Sequence, residues 1–540
     1  MAKMYFPQYA RGRTGVELRS EETVLQHIRR IGGVEIDSEC GGQGHCGKDV
    51  IRLERGMESL TAPTACEQRL LKASDIQNGR RLACQARIAD TGGDIYVYIP
   101  NFGKYTVLSE YAQADVKLNP CIRRVDQRVV NSAGRDLGAY EDAIYGMAVD
   151  IGTTTLVLQV VDLESGKNVG QAMASKNPQI AYGNEVISRI GYSIDHDRGL
   201  EELQAAVVGG INDSLSELER LLDMQGKIAD RIYEIVLVGN STMRDIAFGR
   251  NVRGLGFIPF EAEDTAALER PASDLGFAVH ENAVVYGPPL IGGHAGSDCL
   301  ADIIATDLYR VEQIGMIIDI GTNGEIVIGN RHKLMSASCA AGGAYEGYQI
   351  RCGVGAIQGA ITRLRIENGR AHYETLGDKH AVGVCGSGVI DLLAEMLRSG
   401  IMDRRSRIRE DYCFSDDLCI SQEDINQLII AKAGLRTDQD LLIRYFGIEP
   451  QQVEHIYLAG AFGNFMNIDN AMAIGLLPQV DKNRIVRFGN GALAGARAML
   501  VSASKRQDAE GMGKVLTHVK PNEIEGAQFQ YLVADNMYFK

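Results

Sequence analysis

The sequence predicts a multidomain α/β protein in which a small N-terminal domain and a polar connector precede one α/β unit that occurs twice. Three observations carry this expectation. At 540 residues the chain exceeds a single hydrophobic core, at a soft prior of roughly 150 residues per domain. From Gly146 apolar β runs alternate with helical stretches such as Leu200 to Leu222, the pattern of an α/β domain. Finally, GMAVDIGTTTLVLQV at Gly146 returns as GMIIDIGTNGEIVIG at Gly315, with Gly, Met, Asp, Ile, Gly and Thr at a constant offset (319 − 150 = 169).

Residues 1–99 read as the small domain: a hairpin-like start, Ser20 as N-cap of an amphipathic stretch from Glu21 to Ile31, then a glycine-rich loop. Residues 100–142 are mixed and polar with weak periodicity, and read as a linker. The first half of the duplication takes 143–314 and the second 315–540. Each copy is an apolar run, Asp-Ile-Gly-Thr, a polar turn and another apolar run, hence a β-hairpin whose turn is stripped of bulk.

Two such hairpins facing across a cleft would bind a nucleotide. Backbone N–H groups of glycine turns, with threonine hydroxyls, grip phosphate oxygens, and an aspartate at each strand end holds Mg2+ through water. The candidates are Asp150, Gly152, Thr153 and Thr154 in the first hairpin, and Asp319, Gly321, Thr322 and Asn323 in the second. One Asp-Ile-Gly-Thr alone is usually an ordinary tight turn; its recurrence argues for a paired site. HIYLAGAFGNF, with Gly460 and Gly463, and FGNGALAGARAML suit the adenosine side, against the plainer reading of helix–strand packing. GVCGSGVID offers Gly386 and Ser387 at a helix entry as further nucleotide contacts, while Cys385 reads as a small buried residue.

Composition sets limits on partners and place. The hydrophobic fraction of 45% and charged fraction of 23% are ordinary globular usage. A formal net charge of -14 gives no basic footprint, so nucleic acid and anionic membrane surfaces are not expected partners. The start lacks a signal-peptide core and no run of about 20 apolar residues follows, so a cytoplasmic location is expected. Eleven cysteines, an odd number spread from Cys40 to Cys419, read as mostly reduced and buried.

The cysteines near the N-terminus ask for a ligand reading. In ECGGQGHCGKD, Cys40 and Cys46 are separated by five residues, as in a loop wrapping a two-iron cluster, and Cys84 in LACQ would return from a neighbouring strand. Where a ferredoxin places its third cysteine this sequence has Asp49. Asp49 ligating iron through its carboxylate, substitution by Cys66 or His45, and loss of the cluster remain three readings; Asp49 has the needed spacing, and a hard carboxylate favours ferric iron and a lower potential. A zinc site fits the glycine spacing less well.

Taken in order, CGGQGHCGK, LACQ, VDIGTTT, NPQIAYGNEVISRI, VGNSTM, IDIGTNGEIV, GVCGSGVID, LAGAFGNF and IGLLP resemble the reductive activators of corrinoid-dependent proteins along nearly the whole chain. The resemblance implies an N-terminal β-grasp ferredoxin-like domain with a [2Fe-2S] cluster, followed by duplicated actin-like (ribonuclease H-like) ATPase domains. By position, it makes Cys40, Cys46, Asp49 and Cys84 the metal ligand positions, and puts the hairpin residues around ATP and Mg2+. The implied activity is ATP-dependent reduction of a Co(II) corrinoid protein of a methyltransferase system to Co(I). A low-potential electron donor is then needed, with a homodimer as one arrangement. Each 100 mV of uphill one-electron transfer costs about 2.3 kcal/mol, within reach of ATP-driven domain closure.

With Asp150 and Asp319, Glu185 and Glu325 are the candidate catalytic carboxylates; Glu185, Glu325 and Gln179 are candidates to position the attacking water, against the plainer reading that they cap helices or face solvent. His294 in GGHAGSD would line the cleft or be structural. Rival readings are a small-molecule kinase, an activator of radical-type dehydratases, and a non-redox scaffold latched by ATP; the cysteine loop argues against the kinase.

Overall fold

The computed structural model describes residues 2–539 apart from 7–14, 32–33, 35, 37, 39–40, 46, 48, 72, 100–115, 322, 341–342, 347–349, 416–417, 461–462 and 464. The predicted site residues Cys40, Cys46 and Thr322 therefore lie outside the described residues.

The N-terminal domain is a five-stranded mixed sheet in the order Gly15–Glu17, Lys3–Tyr5, Ile95–Tyr98, Val50–Arg55, Arg80–Leu82. Lys3–Tyr5 and Ile95–Tyr98 run parallel and the other pairs antiparallel, as a β-grasp requires. Strand alternation sends Ile51, Leu53, Ile95 and Val97 inward, where the helix Val24–Ile31 lays Val24, Leu25 and Ile28 on them. Ahead of Cys84, the buried Arg81 forks onto Glu67, with Nε to Oε1 at 2.7 Å and Nη2 to Oε2 at 3.0 Å. Those bonds and one from Thr64 N–H keep the Glu67 carboxyl below its usual range against the opposing effect of burial.

The stretch read as a linker is packed where it is described. Ile122–Val125, Arg128–Asn131 and Asp136–Ala139 form a three-stranded antiparallel sheet. Its Ile122, Val129 and Leu137 join the core between the two halves.

The halves repeat one topology. In the first, the sheet order is Asn168–Lys176, Thr155–Asp162, Tyr145–Ile151, Ile232–Gly239, Val284–Gly287, Leu268–Pro271. In the second, Lys333–Ala340, Asn323–Asn330, Gly315–Ile320, His455–Ala459 and Ile485–Gly489 occupy the first five of these places, and Leu516–His518 extends the opposite edge. An antiparallel hairpin followed by parallel strands thus occurs twice, which is the actin-like duplication.

The halves meet through the helices Ser297–Thr306 and Gly491–Val501. A Cβ at Gly495 would stand 2.0 Å from Ala301 O and one at Gly491 2.2 Å from Asp302 Oδ1, so only glycine permits this approach. Leu493, Ala496 and Leu500 fill the shared core with Ala148, Val236 and Ile317. The C-terminal segment thus returns to the first half. Cys413 and Cys419 form a disulfide joining Tyr412–Cys413 to Cys419–Ile420, while Cys66, Cys121, Cys299, Cys339 and Cys385 are free.

Candidate functional site

The first hairpin turns at Gly152, whose N–H donates to Thr155 O at 3.0 Å. Its carbonyls are tied back from behind. Asn177 Nδ2 donates to Gly152 O at 2.9 Å, Asn177 N to Thr154 O at 2.7 Å, and the fully buried Arg189 guanidinium to Thr153 O. Arg189 also donates to Gln179 Oε1 at 3.0 Å and Gly183 O at 2.8 Å, and Asn240 Nδ2 to Thr153 Oγ1 at 3.2 Å. Among the described residues the N–H groups of Thr153 and Thr154 make no hydrogen bond, which leaves an anion-accepting turn with its rear carbonyls spent.

The second hairpin has a turn one residue shorter: Ile320 pairs with Gly324, whereas Ile151 pairs with Leu156. Gly321 N–H donates to Asn323 O at 2.9 Å, and Glu325 stands directly across from Asp319 on the same face. Gly460, at φ 86, would bring a Cβ within 2.6 Å of Asp319 Oδ1, so this glycine serves the carboxylate end of the hairpin. Gly463 O accepts from Arg487 Nη1 at 3.2 Å.

Between the hairpins the fold gathers carboxylates. Asp150 accepts from Asn490 Nδ2 at 2.8 Å, while Asn490 Oδ1 caps the Gly491–Val501 helix through Leu493 N at 2.7 Å. Asp298 and Asp302 project from the first turns of Ser297–Thr306. Burial pushes Asp150 up to about 7, the Asn490 bond opposing and Asp319 adding to the rise. Burial, then the Asp150 and Asp319 charges, likewise raises Asp298 to about 7 despite a bond from the Cys299 N–H. Neither oxygen of the enclosed Asp302 has a donor in reach among the described residues, and burial, then the neighbouring Asp319, drives its pKa well up. No lysine or arginine is among the leading causes of these shifts.

Four carboxylates held against their own repulsion without a cation suit a divalent ion. Among the described residues no three acidic, histidine or cysteine side chains converge closely enough to ligate one metal directly. The donor set therefore fits an ion that keeps its waters, as Mg2+ does between carboxylates and phosphates.

The other predicted residues fall elsewhere. Glu185 is the N-cap of Val186–Asp195 in a reciprocal capping box with Ser188, and the buried Gln179 bonds Leu203 O at 2.9 Å as part of the Arg189 bracket. Gly386 and Ser387 open the helix Gly386–Arg398, where Ser387 Oγ donates to Thr362 O at 2.9 Å. FGNGALAGARAML, expected on the adenosine side, instead supplies Asn490 to Asp150 and the interhalf helix, because small residues are needed where two helices touch. The His294 ring lies 5.8 Å from Phe260, and burial lowers its pKa. Asp298, Asp302, Asn490, Asn177, Asn240 and Arg189 escaped the sequence reading; the polar residue before each helix at Asn177, Asn240 and Asn490 was the available signal.

In the N-terminal domain, the described ligand positions converge. Asp49 is 1% exposed and its Oδ2 accepts from Cys84 N–H at 2.6 Å. Gly41, Gly42, Gly44 and Gly47 all have positive φ, and a Cβ at Gly42 would lie 3.7 Å from Cys84 Cβ, so the loop wraps over Cys84. His45 is exposed, and Cys66 sits half-buried on Ala65–Leu70. Thiolate and carboxylate side by side under a glycine loop fit a cluster ligand set.

Comparison with known proteins agrees with this division. A 2Fe-2S iron-sulfur cluster binding domain matches residues 11–89, the RACo middle region 145–311, and the C-terminal domain of RACo, the ASKHA domain, 313–539. The chain is 27% identical over 585 aligned positions to the corrinoid activation enzyme RamQ of Eubacterium limosum, covering 96% of this chain and 97% of that one. It is 26% identical over 405 positions to a [Co(II) methylated amine-specific corrinoid protein] reductase of Methanosarcina barkeri, covering 69% and 73%. A solved reductive activator for corrinoid,iron-sulfur protein superposes with a TM-score of 0.72 at 27% identity, over 100% of this chain and 98% of that one. Among the described residues no helix is long and apolar enough to cross a membrane.

Proposed function

This chain belongs to the RACo family, and from that premise we propose that it is an ATP-dependent reductive activator that returns a corrinoid protein from Co(II) to Co(I). The observation that carries the reading is the joining, in one chain, of a glycine loop closed over Asp49 and Cys84 to a duplicated hairpin pair ringed by uncompensated carboxylates. Cys40, Cys46, Asp49 and Cys84 would hold the [2Fe-2S] group. When bound, that group supplies single electrons, and Mg2+·ATP supplies the free energy for an uphill transfer.

The protein's own residues prepare the nucleotide step. Thr153 and Thr154 offer N–H and hydroxyl groups to phosphate, with Gly321 and Asn323 at the turn of the second hairpin. Asp150 and Asp319, one from each half, would hold Mg2+ through water, and Asn490, from the second half, keeps Asp150 oriented. Because the bond partners come from different halves, charge neutralisation between them favours closure of the cleft. Glu325, across from Asp319 and buried, is the remaining carboxylate able to orient a water. The partner is a corrinoid protein, and a low-potential donor reloads the N-terminal domain.

Anaerobically purified protein should contain about two irons and two sulfides per chain. With titanium(III) citrate and Mg2+·ATP it should bleach the Co(II) EPR signal of a corrinoid protein, and without ATP it should not. Asp49→Ala should lose the reduced-cluster EPR signal, whereas Asp49→Cys should keep it at a higher potential. Full iron and an unchanged EPR spectrum in Asp49→Ala would remove Asp49 from the ligand set, and equal bleaching without ATP would remove the nucleotide step.

A further inference from the structure

The core of the N-terminal domain is self-contained: among the described residues, every side chain packed into it comes from residues 2–99. Arg29, in the last turn of Val24–Ile31, reaches out of it. Its Nε donates to Ala181 O at 2.6 Å and its Nη2 to Gly41 O at 3.1 Å. The guanidinium lies 5.0 Å from the ring centroid of Tyr182 and 5.3 Å from that of Tyr192, which compensate a cation whose charge burial disfavours.

Both ends of this contact matter chemically. On one side, Gly41 follows ligand position 40 and would bring a Cβ within 3.1 Å of Tyr182 O, while Gly42 would bring one 3.7 Å from Cys84 Cβ and 3.8 Å from Arg29 Nη2. The cation therefore stands beside the cluster loop. On the other side, Ala181 belongs to the 177–183 segment that backs the phosphate hairpin. Asn177 bonds Gly152 O and Thr154 O, and Arg189 joins Gly183 O to Thr153 O. Backbone and hydrogen bonds run unbroken from the phosphate turn to the cluster loop through this one side chain.

We propose that Arg29 is a positioning residue of the electron-transfer step, fastening the cluster loop to the 177–183 segment so that occupancy of the phosphate turn sets how close its positive charge stands to the cluster. The inference rests on the function proposed above. A cation near the ligands stabilises the reduced, more negative state, so displacing it lowers the reduction potential. The nucleotide state is thereby transmitted to the cluster without a second binding site.

The test uses the full-length holoprotein with AMP-PNP·Mg2+ as probe, comparing wild type, Arg29→Ala, Arg29→Lys and Tyr182→Ala. Without nucleotide, Arg29→Ala should speed amide exchange over 177–183 by about tenfold or more, the loss of a charged hydrogen bond of roughly 1.5 kcal/mol. In EPR-monitored titrations, nucleotide should shift the wild-type midpoint. Arg29→Ala should lie lower and shift with nucleotide hardly at all, a tenfold change in the reduced-to-oxidised ratio being ~59 mV for one electron. Arg29→Lys should recover the potential through its charge, yet not the nucleotide response, since an ammonium lacks the guanidinium fork.

Tyr182→Ala leaves the cluster domain untouched and should also weaken the response, which separates docking from cluster assembly. Unchanged exchange in Arg29→Ala, a wild-type midpoint insensitive to bound nucleotide, or a full response in Arg29→Ala would each overturn the proposal. Absence of iron or of nucleotide binding in the wild type would instead count against the function proposed above, and the exchange comparison would still decide whether Arg29 docks the domain.

Discussion

Asp150→Asn should stabilise the ligand-free protein at alkaline pH while abolishing its response to nucleotide. Asp150 titrates near 7 in the folded protein against 3.8 when unperturbed, because its burial and the Asp319 charge outweigh the Asn490 hydrogen bond. Between those values the folded state binds more protons than the unfolded chain, so stability falls as pH rises through the window, and the full cost is present above 7. Some three pKa units correspond to at most ~4 kcal/mol. Asparagine has no charge to bury, and its side-chain carbonyl accepts the Asn490 bond as before. Spread over the ATPase body at ~2.1 cal/mol/K per residue, this raises the melting midpoint by roughly 5 °C at pH 8 and leaves it almost unchanged near pH 4. Thermal melts of wild type and Asp150→Asn in EDTA at the two pH values measure the difference. An equal shift at both pH values, or destabilisation at pH 8, would refute the account of Asp150 as an uncompensated buried charge.

Two further substitutions probe the bracket around the turn. Arg189→Met should cost about 3–5 kcal/mol and nucleotide affinity together, since Thr153 O, Gln179 and Gly183 O lose a buried donor; denaturant titration and a nucleotide-binding isotherm measure the two effects. Asn490→Ala should cost about 1 kcal/mol through its lost cap and move the Asp150 titration upward, so that Mg2+·AMP-PNP affinity falls off at a higher pH than in wild type. Binding measured between pH 6 and 8.5 follows that shift.

Features that depend on neighbours along the chain were legible from residue order. Asp-Ile-Gly-Thr between apolar runs specifies a hairpin with a bare turn wherever it occurs, so Asp150 and Asp319 were legible with their glycines, and the duplication followed from spacing alone. The glycine loop before Asp49 was legible for the same local reason. Tertiary structure alone decided what depends on residues hundreds of positions apart. Asn490 reaches Asp150 across 340 residues, and Arg29 reaches Ala181 across 152. Asp302 looks like an ordinary residue of a helix until the packing of that helix against Gly491 and Gly495 buries it beside Asp319. Glu185 and Gln179, polar and well placed in sequence, were claimed by a helix cap and by Arg189. A side chain's type states which chemistry it can perform, whereas its charge state and partners depend on desolvation and on which other chain segments fold against it.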